Sequence, residues 1–214
     1  MANQIAVIVA TFNQGKYLDR CLRSLLAQNG NPNYRIICVD DGSTDETESI
    51  LQQYVPEVTV IKNERNLGLP AAVNIAIRSS VSEYIVRVDS DDYVSRDFLR
   101  LLALTLDLNK KISAVGCDYE LISQDSEPMI VNCASQPIAC GIMFRRDALY
   151  DIGLYNEDYL MHEDKELMSR FLINYKVERL PLPLYRYRLH EKNMTKDEEK
   201  SNFYSNKLKS QGNH

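Results

Sequence analysis

Two clusters of carboxylates dominate the chemistry legible in this 214-residue chain. Asp89, Asp91 and Asp92 follow directly on the apolar run 84–88. They crowd at what reads as a strand end, where mutual repulsion calls for a compensating cation. Hard divalent metals take oxygen ligands, and Mg²⁺ uses one or two carboxylates together with water and substrate phosphates. Asp89 and Asp91 are the natural pair for Mn²⁺ or Mg²⁺. Taken alone, the same residues also read as a solvated acidic turn with Asp92 or Ser95 capping the next helix. The second cluster, Asp40-Asp41-Gly42-Ser43-Thr44-Asp45, ends another apolar run. Ser43 or Thr44 can cap the helix that follows, and Asp45 and Glu46 suit its positive end. Capping does not account for Asp40 and Asp41, where a carboxylate could accept hydrogen bonds from a nucleobase imide or a ribose hydroxyl.

The elements that must position these groups are visible as alternating patterns. Runs 5–10, 35–39, 58–61 and 84–88 are strand-sized and β-rich, and between them Leu18, Cys21, Leu22 and Leu25, then Ala72, Val73, Ala76 and Ile77, recur at helical spacing. Such alternation predicts a mostly parallel sheet with helices on both faces. Ligands of such sheets collect beyond the carboxyl ends of the strands. Thr11-Phe12-Asn13, the Asp40 cluster, Asn63-Glu64-Arg65-Asn66 and the Asp89 cluster all fall there. The second half reads as strands at 113–117 and 137–144, a helix at 163–172 and a returning strand at 177–180.

Bulk properties narrow the partners. A net charge of -5 with 44% hydrophobic residues describes an ordinary globular protein and disfavours broad nucleic-acid binding. Five cysteines without CxxC spacing argue for buried reduced thiols rather than disulfides or a zinc knuckle. No signal-like start or membrane-length apolar run is present, so the expectation is a cytoplasmic protein, with room for peripheral attachment at the inner face of the membrane.

The ordered text Val7-Ile8-Val9-Ala10-Thr11-Phe12-Asn13, Val39-Asp40-Asp41-Gly42-Ser43-Thr44-Asp45, Asn66-Leu67-Gly68, Val88-Asp89-Ser90-Asp91-Asp92, Cys140-Gly141-Ile142-Met143-Phe144-Arg145-Arg146 and His162-Glu163-Asp164 resembles family 2 glycosyltransferases, inverting enzymes of GT-A fold with a DxD motif. The resemblance implies an α/β, Rossmann-like fold with a smaller acceptor-side β/α region. It makes 1–191 a single domain, with a nucleotide-binding half at 1–110 and an acceptor-side half at 111–191. The polar tail 192–214 is expected to be a solvated helix or disordered. The nucleotide site would comprise Thr11, Asn13, Asp40, Asp41, Arg65 and Asp89. Asp91 would hold the metal, with Asp89 and His190 beside it. Asp164 would be the base, with Glu163 as its alternative.

These roles suit sugar transfer from a nucleotide-diphosphate donor to an acceptor hydroxyl, which needs a base for the acceptor proton and a cation for the departing diphosphate. A UDP-sugar is the preferred donor, because Asp41 could accept from a uracil imide. The acceptor would be a saccharide or lipid-linked glycan, as in polysaccharide biosynthesis, and the short chain leaves room for a homo-oligomer. Gly141 reads as a point of close approach to donor or acceptor, and His162 as a helix-leading residue able to tune the base. Two other readings compete: a nonenzymatic nucleotide-sugar-binding or degenerate partner subunit, and a nucleotidyltransferase. The single glycine and lysine of Gln14-Gly15-Lys16 make a poor triphosphate cradle.

Overall fold

The computed structural model describes residues 4–123, 126–190 and 197–211. In chain order the elements are β1 (Ile5–Thr11), α1 (Gly15–Leu26), β2 (Tyr34–Asp40), α2 (Thr47–Leu51), β3 (Val58–Lys62), α3 (Leu69–Arg78), β4 (Tyr84–Arg87), β5 (Tyr93–Val94), α4 (Phe98–Leu108), β6 (Ala114–Ile122), β7 (Met129–Val131), β8 (Ile142–Arg145), α5 (Arg146–Asp151), α6 (Glu163–Asn174), β9 (Val177–Arg188) and α7 (Glu198–Gln211). They build one sheet in the order β3-β2-β1-β4-β8-β6-β9-β5, with β7 alongside β6.

β1, β2, β3 and β4 pair in parallel. β1 is apolar on both faces because each is covered: Ile5, Val7 and Val9 join one core with α1, α2 and α4, while Ala6 and Ile8 join another with α3, α5 and α6. Beyond β4 the sheet becomes mixed, since β8 runs antiparallel to both β4 and β6, and β9 then lies parallel to β6. β9 is longer than the expected 177–180 and continues to Arg188 through an irregularity opposite Cys117–Tyr119, which accommodates Pro183 within a strand. The alternation Tyr185-Arg186-Tyr187-Arg188, which also suits an exposed edge, belongs instead to a strand flanked by β6 and β5, with Tyr185 fully buried.

The described part of the polar tail is the helix α7, and it is docked on the domain rather than wholly solvated. α7 docks through Tyr204, which packs with Tyr159 and Met161, and Lys207 Nζ donates to the Asp158 carbonyl at 2.9 Å. The five cysteines are unpaired, four of them buried. No helix among the described residues is long and apolar enough to cross a membrane.

Candidate active site

The parallel strands β1, β2 and β4 end at one edge of the sheet, with the end of β4 joined to the start of α6 through Arg87 and Glu163, and the groups there divide by what already binds them. Thr11 and Asp40 are register partners at the ends of β1 and β2, so their side chains share a face. Asp40 is 1% exposed; its Oδ1 accepts the Ser43 N–H at 2.9 Å. Its Oδ2 and the Thr11 hydroxyl are buried without a hydrogen-bond partner among the described residues. Buried polar atoms left so are costly, and a bound ligand or water is the usual remedy.

Asp41 is different. Its Oδ1 accepts from Asn63 Nδ2 at 2.7 Å and Leu67 N–H at 3.0 Å, and its Oδ2 from Gly68 N–H at 2.9 Å. The carboxylate assigned to the nucleobase thus already holds the 63–68 loop through three donors, two on Oδ1 and one on Oδ2. Gly42, at φ +80°, lets that loop approach: a Cβ there would lie 2.7 Å from the Arg65 carbonyl carbon. Arg65 itself is exposed. Asn13, assigned to the nucleotide, braces two loops: its N–H donates to Ser43 Oγ at 3.0 Å and its Oδ1 accepts the Thr44 N–H at 2.8 Å. Neither Ser43 nor Thr44 caps α2: its N-cap is Glu46, and Asp45 just before it accepts the Thr47 N–H at 3.0 Å and the Gly15 N–H at 3.0 Å.

At the end of β4 the three aspartates also part company. Asp92 is 2% exposed; its Oδ2 accepts the Tyr185 hydroxyl at 2.8 Å and its Oδ1 the Arg188 N–H at 2.7 Å. Burial and the neighbouring Asp91 and Asp89 push its carboxyl well above the ordinary range. Asp91 Oδ2 meets His190 Nε2 at 2.8 Å, and the His190 ring stacks on Tyr17 with centroids 4.8 Å apart. Burial and Asp89 raise the Asp91 carboxyl, partly offset by His190. Asp89 is gripped by Arg87, through Nε to Oδ1 at 2.6 Å and Nη2 to Oδ2 at 3.2 Å. The remaining arm of Arg87, Nη1, reaches Glu163 Oε1 at 2.8 Å.

Glu163, Asp164 and Glu166 open α6. Glu163 is 5% exposed and held by Arg87, and Glu166 by Arg170 at 2.8 and 2.6 Å. Asp164 is half-buried and makes no hydrogen bond or ion pair among the described residues. His162 leads into the helix in the left-handed region at φ 60°, its Nε2 3.0 Å from Ser201 Oγ of α7. Gly141, at φ +75°, donates its N–H to the Arg87 carbonyl at 3.0 Å, and a Cβ there would lie 3.0 Å from the Tyr185 ring. Its close approach is thus to Tyr185. Arg87, Tyr185 and Tyr17 were not anticipated in the site, although Arg87, a lone charge inside the run 84–88, carried a visible signal.

One three-residue group, Asp89, Asp92 and Cys140, also offers ligand atoms within 4.8 Å of one another. It fits a hard cation poorly. Asp92 has both oxygens in use, Asp89 is held by Arg87, and burial drives the Cys140 thiol well above its ordinary value. Asp91 with His190 is the better donor set, an oxygen and an imidazole nitrogen already converging. Cavities of about 500 Å³ by Asp40, Leu51, Val58 and Lys62 and about 740 Å³ by Ser82, Arg145 and Tyr175 both exclude Asp91 and Asp164.

A family model described as Glycosyl transferase family 2 matches residues 6–130, more than half of the chain. The chain belongs to glycosyl transferase family 2. An uncharacterized glycosyltransferase of Haemophilus influenzae is 28% identical over 217 residues, covering 87% of this chain and 65% of that protein. Among solved structures, S. aureus TarS 1–349 in complex with UDP-GlcNAc aligns with TM-score 0.79 at 23% identity, over 91% of this chain and 61% of that one. The mannosyltransferase PcManGT from Pyrobaculum calidifontis, in complex with GDP-Man and Mn²⁺, aligns with TM-score 0.73 at 20% identity, over 90% and 59%. The chain thus spans less than two thirds of the length of each. The likenesses show the fold, that of GT-A glycosyltransferases.

Proposed function

We propose that this chain carries out inverting transfer of a hexosyl or N-acetylhexosaminyl group from a nucleotide-diphosphate sugar to a hydroxyl of a saccharide or lipid-linked glycan. The observation that carries the reading is the convergence on Arg87 of the DxD carboxylate Asp89 and the α6 carboxylate Glu163, which brings the donor end of β4 against the base-bearing end of α6. Asp164 takes the proton from the acceptor hydroxyl as that oxygen attacks the anomeric carbon, and one in-line displacement inverts its configuration. Asp91 and His190 would hold Mn²⁺ or Mg²⁺, which when bound offsets charge growing on the departing diphosphate. Thr11 and Asp40 are the nucleotide-facing pair, because each keeps a buried polar atom without a protein partner among the described residues. The preference for UDP now rests on TarS bound to UDP-GlcNAc, and PcManGT with GDP-Man makes the guanine nucleotide its competitor.

The test is nucleotide release from UDP-GlcNAc, UDP-glucose and GDP-mannose, with Mn²⁺ or with chelator, by wild type and Asp164→Asn. Asp164→Asn should bind the donor normally and turn over ~10²-fold or more slowly. Near-normal turnover would remove Asp164 from the role. Donor binding without turnover in the wild type would favour a nonenzymatic nucleotide-sugar-binding protein.

A further inference from the structure

We propose that Arg87 is a positioning residue that sorts the acidic groups of the site, holding Asp89 and Glu163 so that Asp91 and Asp164 are the carboxylates left to act. The inference rests on the glycosyl-transfer reading in what it says of Asp164, and on the metal site proposed there in what it says of Asp91.

Strand alternation places Arg87 on the same face as Ile85, the face on which α6 packs through Leu167 and Phe171. An arginine side chain only 7% exposed in an otherwise apolar strand is costly unless paired. Burial works against its charge, yet Asp89 and Glu163 outweigh that and hold the guanidinium protonated. The planar fork can serve both acids: Nε and Nη2 cover both oxygens of Asp89, and Nη1 covers Glu163.

Three of the groups that could compete for the chemistry are occupied, two by Arg87 and one by Arg170. Asp89 is partly neutralised as a direct metal ligand. Glu163 is fixed inward, and Glu166 is taken by Arg170. Asp91 meets His190 through its carboxylate and is bound by no arginine or lysine among the described residues, and Asp164, one step round the helix from Glu163, is unpaired among them. The tether also fixes the first turn of α6 relative to the end of β4, so the base and the diphosphate-facing groups share one anchor.

The test uses the full chain and begins with Mn²⁺ alone, its binding read by electron paramagnetic resonance for wild type, Arg87→Met and Arg87→Met/Asp89→Asn. Released Asp89 becomes an additional ligand, so Arg87→Met should bind Mn²⁺ ~3- to 10-fold tighter, and Asp89→Asn should reverse the gain. A residue that merely held the fold together would not tighten metal binding on removal. Unchanged or weaker binding by folded Arg87→Met overturns the proposal. If Arg87→Met fails to fold, Arg87→Lys makes the same comparison, because an ammonium serves one carboxylate well and the other poorly.

UDP release from UDP-GlcNAc supplies the second arm. Glu163→Gln still offers Arg87 an acceptor and should lose at most ~10-fold, against ~10²-fold or more for Asp164→Asn. Equal losses overturn the sorting. Normal turnover by Asp164→Asn instead defeats the base assignment of the proposed function, and the Mn²⁺ arm then decides for Arg87 alone.

Discussion

Replacing Asp41 with alanine separates two roles that the sequence does not distinguish. The carboxylate receives three donors, from Asn63 Nδ2 at 2.7 Å, Leu67 N–H at 3.0 Å and Gly68 N–H at 2.9 Å, and the residue is 3% exposed. Hydrogen bonds to a charged acceptor contribute about 1.5–3 kcal/mol each, so three rigidly buried ones would total about 5–9 kcal/mol. The loop they hold is partly open, with Leu67 40% exposed, and its freed donors can find water. A loss of about 2–4 kcal/mol is therefore expected. For a chain of this size each kcal/mol moves Tm by roughly 2–4 °C, which puts the fall at about 5–15 °C. Asp41→Asn keeps one acceptor oxygen and should fall between. Thermal and urea unfolding measure the stability, and UDP titration of the same variants measures the alternative. A direct nucleobase contact would leave Tm nearly intact and cut affinity at least tenfold. A Tm shift under about 2 °C would refute the loop-anchoring argument.

Other perturbations probe neighbouring parts of the structure. Gly42→Ala forces a Cβ against the Arg65 backbone at positive φ and should cost about 2 kcal/mol or more, read as a lower urea midpoint; an unchanged midpoint would contradict the close approach. Tyr204→Ala should undock α7 while leaving the sheet folded, with amide exchange across 198–211 rising ~10²-fold; unaltered exchange would mean that α7 is held elsewhere. Arg179, donating to both oxygens of Asp118 at 2.9 and 2.5 Å, holds that carboxyl below its ordinary value. Its contribution is complete above the unfolded value near ~3.9 and lost as pH falls through the lowered folded one. Asp118→Asn should therefore lose stability above about pH 4 and show a flatter decline below it; an unaltered acid limb would count against the pair.

The parallel half of the fold was legible because β1, β2 and β4 are buried on both faces and these strands, with the partly exposed edge strand β3, are bounded by polar turn residues, so 5–10, 35–39 and 58–61 stand out within a residue or two of β1, β2 and β3. The second half was less so. Pro181 and Pro183 interrupt the strand pattern of β9, and its bulge exists only because β6 lies alongside. The docking of α7 was hidden for another reason: one buried aromatic, Tyr204, fixes a segment whose composition is otherwise that of a solvated tail.

In the site, the sequence brought out carboxylates in adjacent pairs, and adjacency is what hid their roles. Neighbouring side chains leave a strand end or a helix start in different directions, so in each pair one member turns toward the fold. Asp41 holds the 63–68 loop while Asp40 keeps an oxygen without a partner among the described residues. Asp92 pins β9 through Tyr185 and Arg188, while Asp91 meets His190 through its carboxylate. Glu163 is held by Arg87, and Asp164 is left. Which member is committed depends on donors distant in the chain, such as Tyr185 and Arg188 for Asp92, and no spacing rule contains them. The same division sets what mutation does at each pair. On that division, removing the committed member is expected to strand buried donors and lower stability, whereas removing Asp91 or Asp164 should cost the fold less; Asp40, whose Oδ1 accepts the Ser43 N–H, should show both effects.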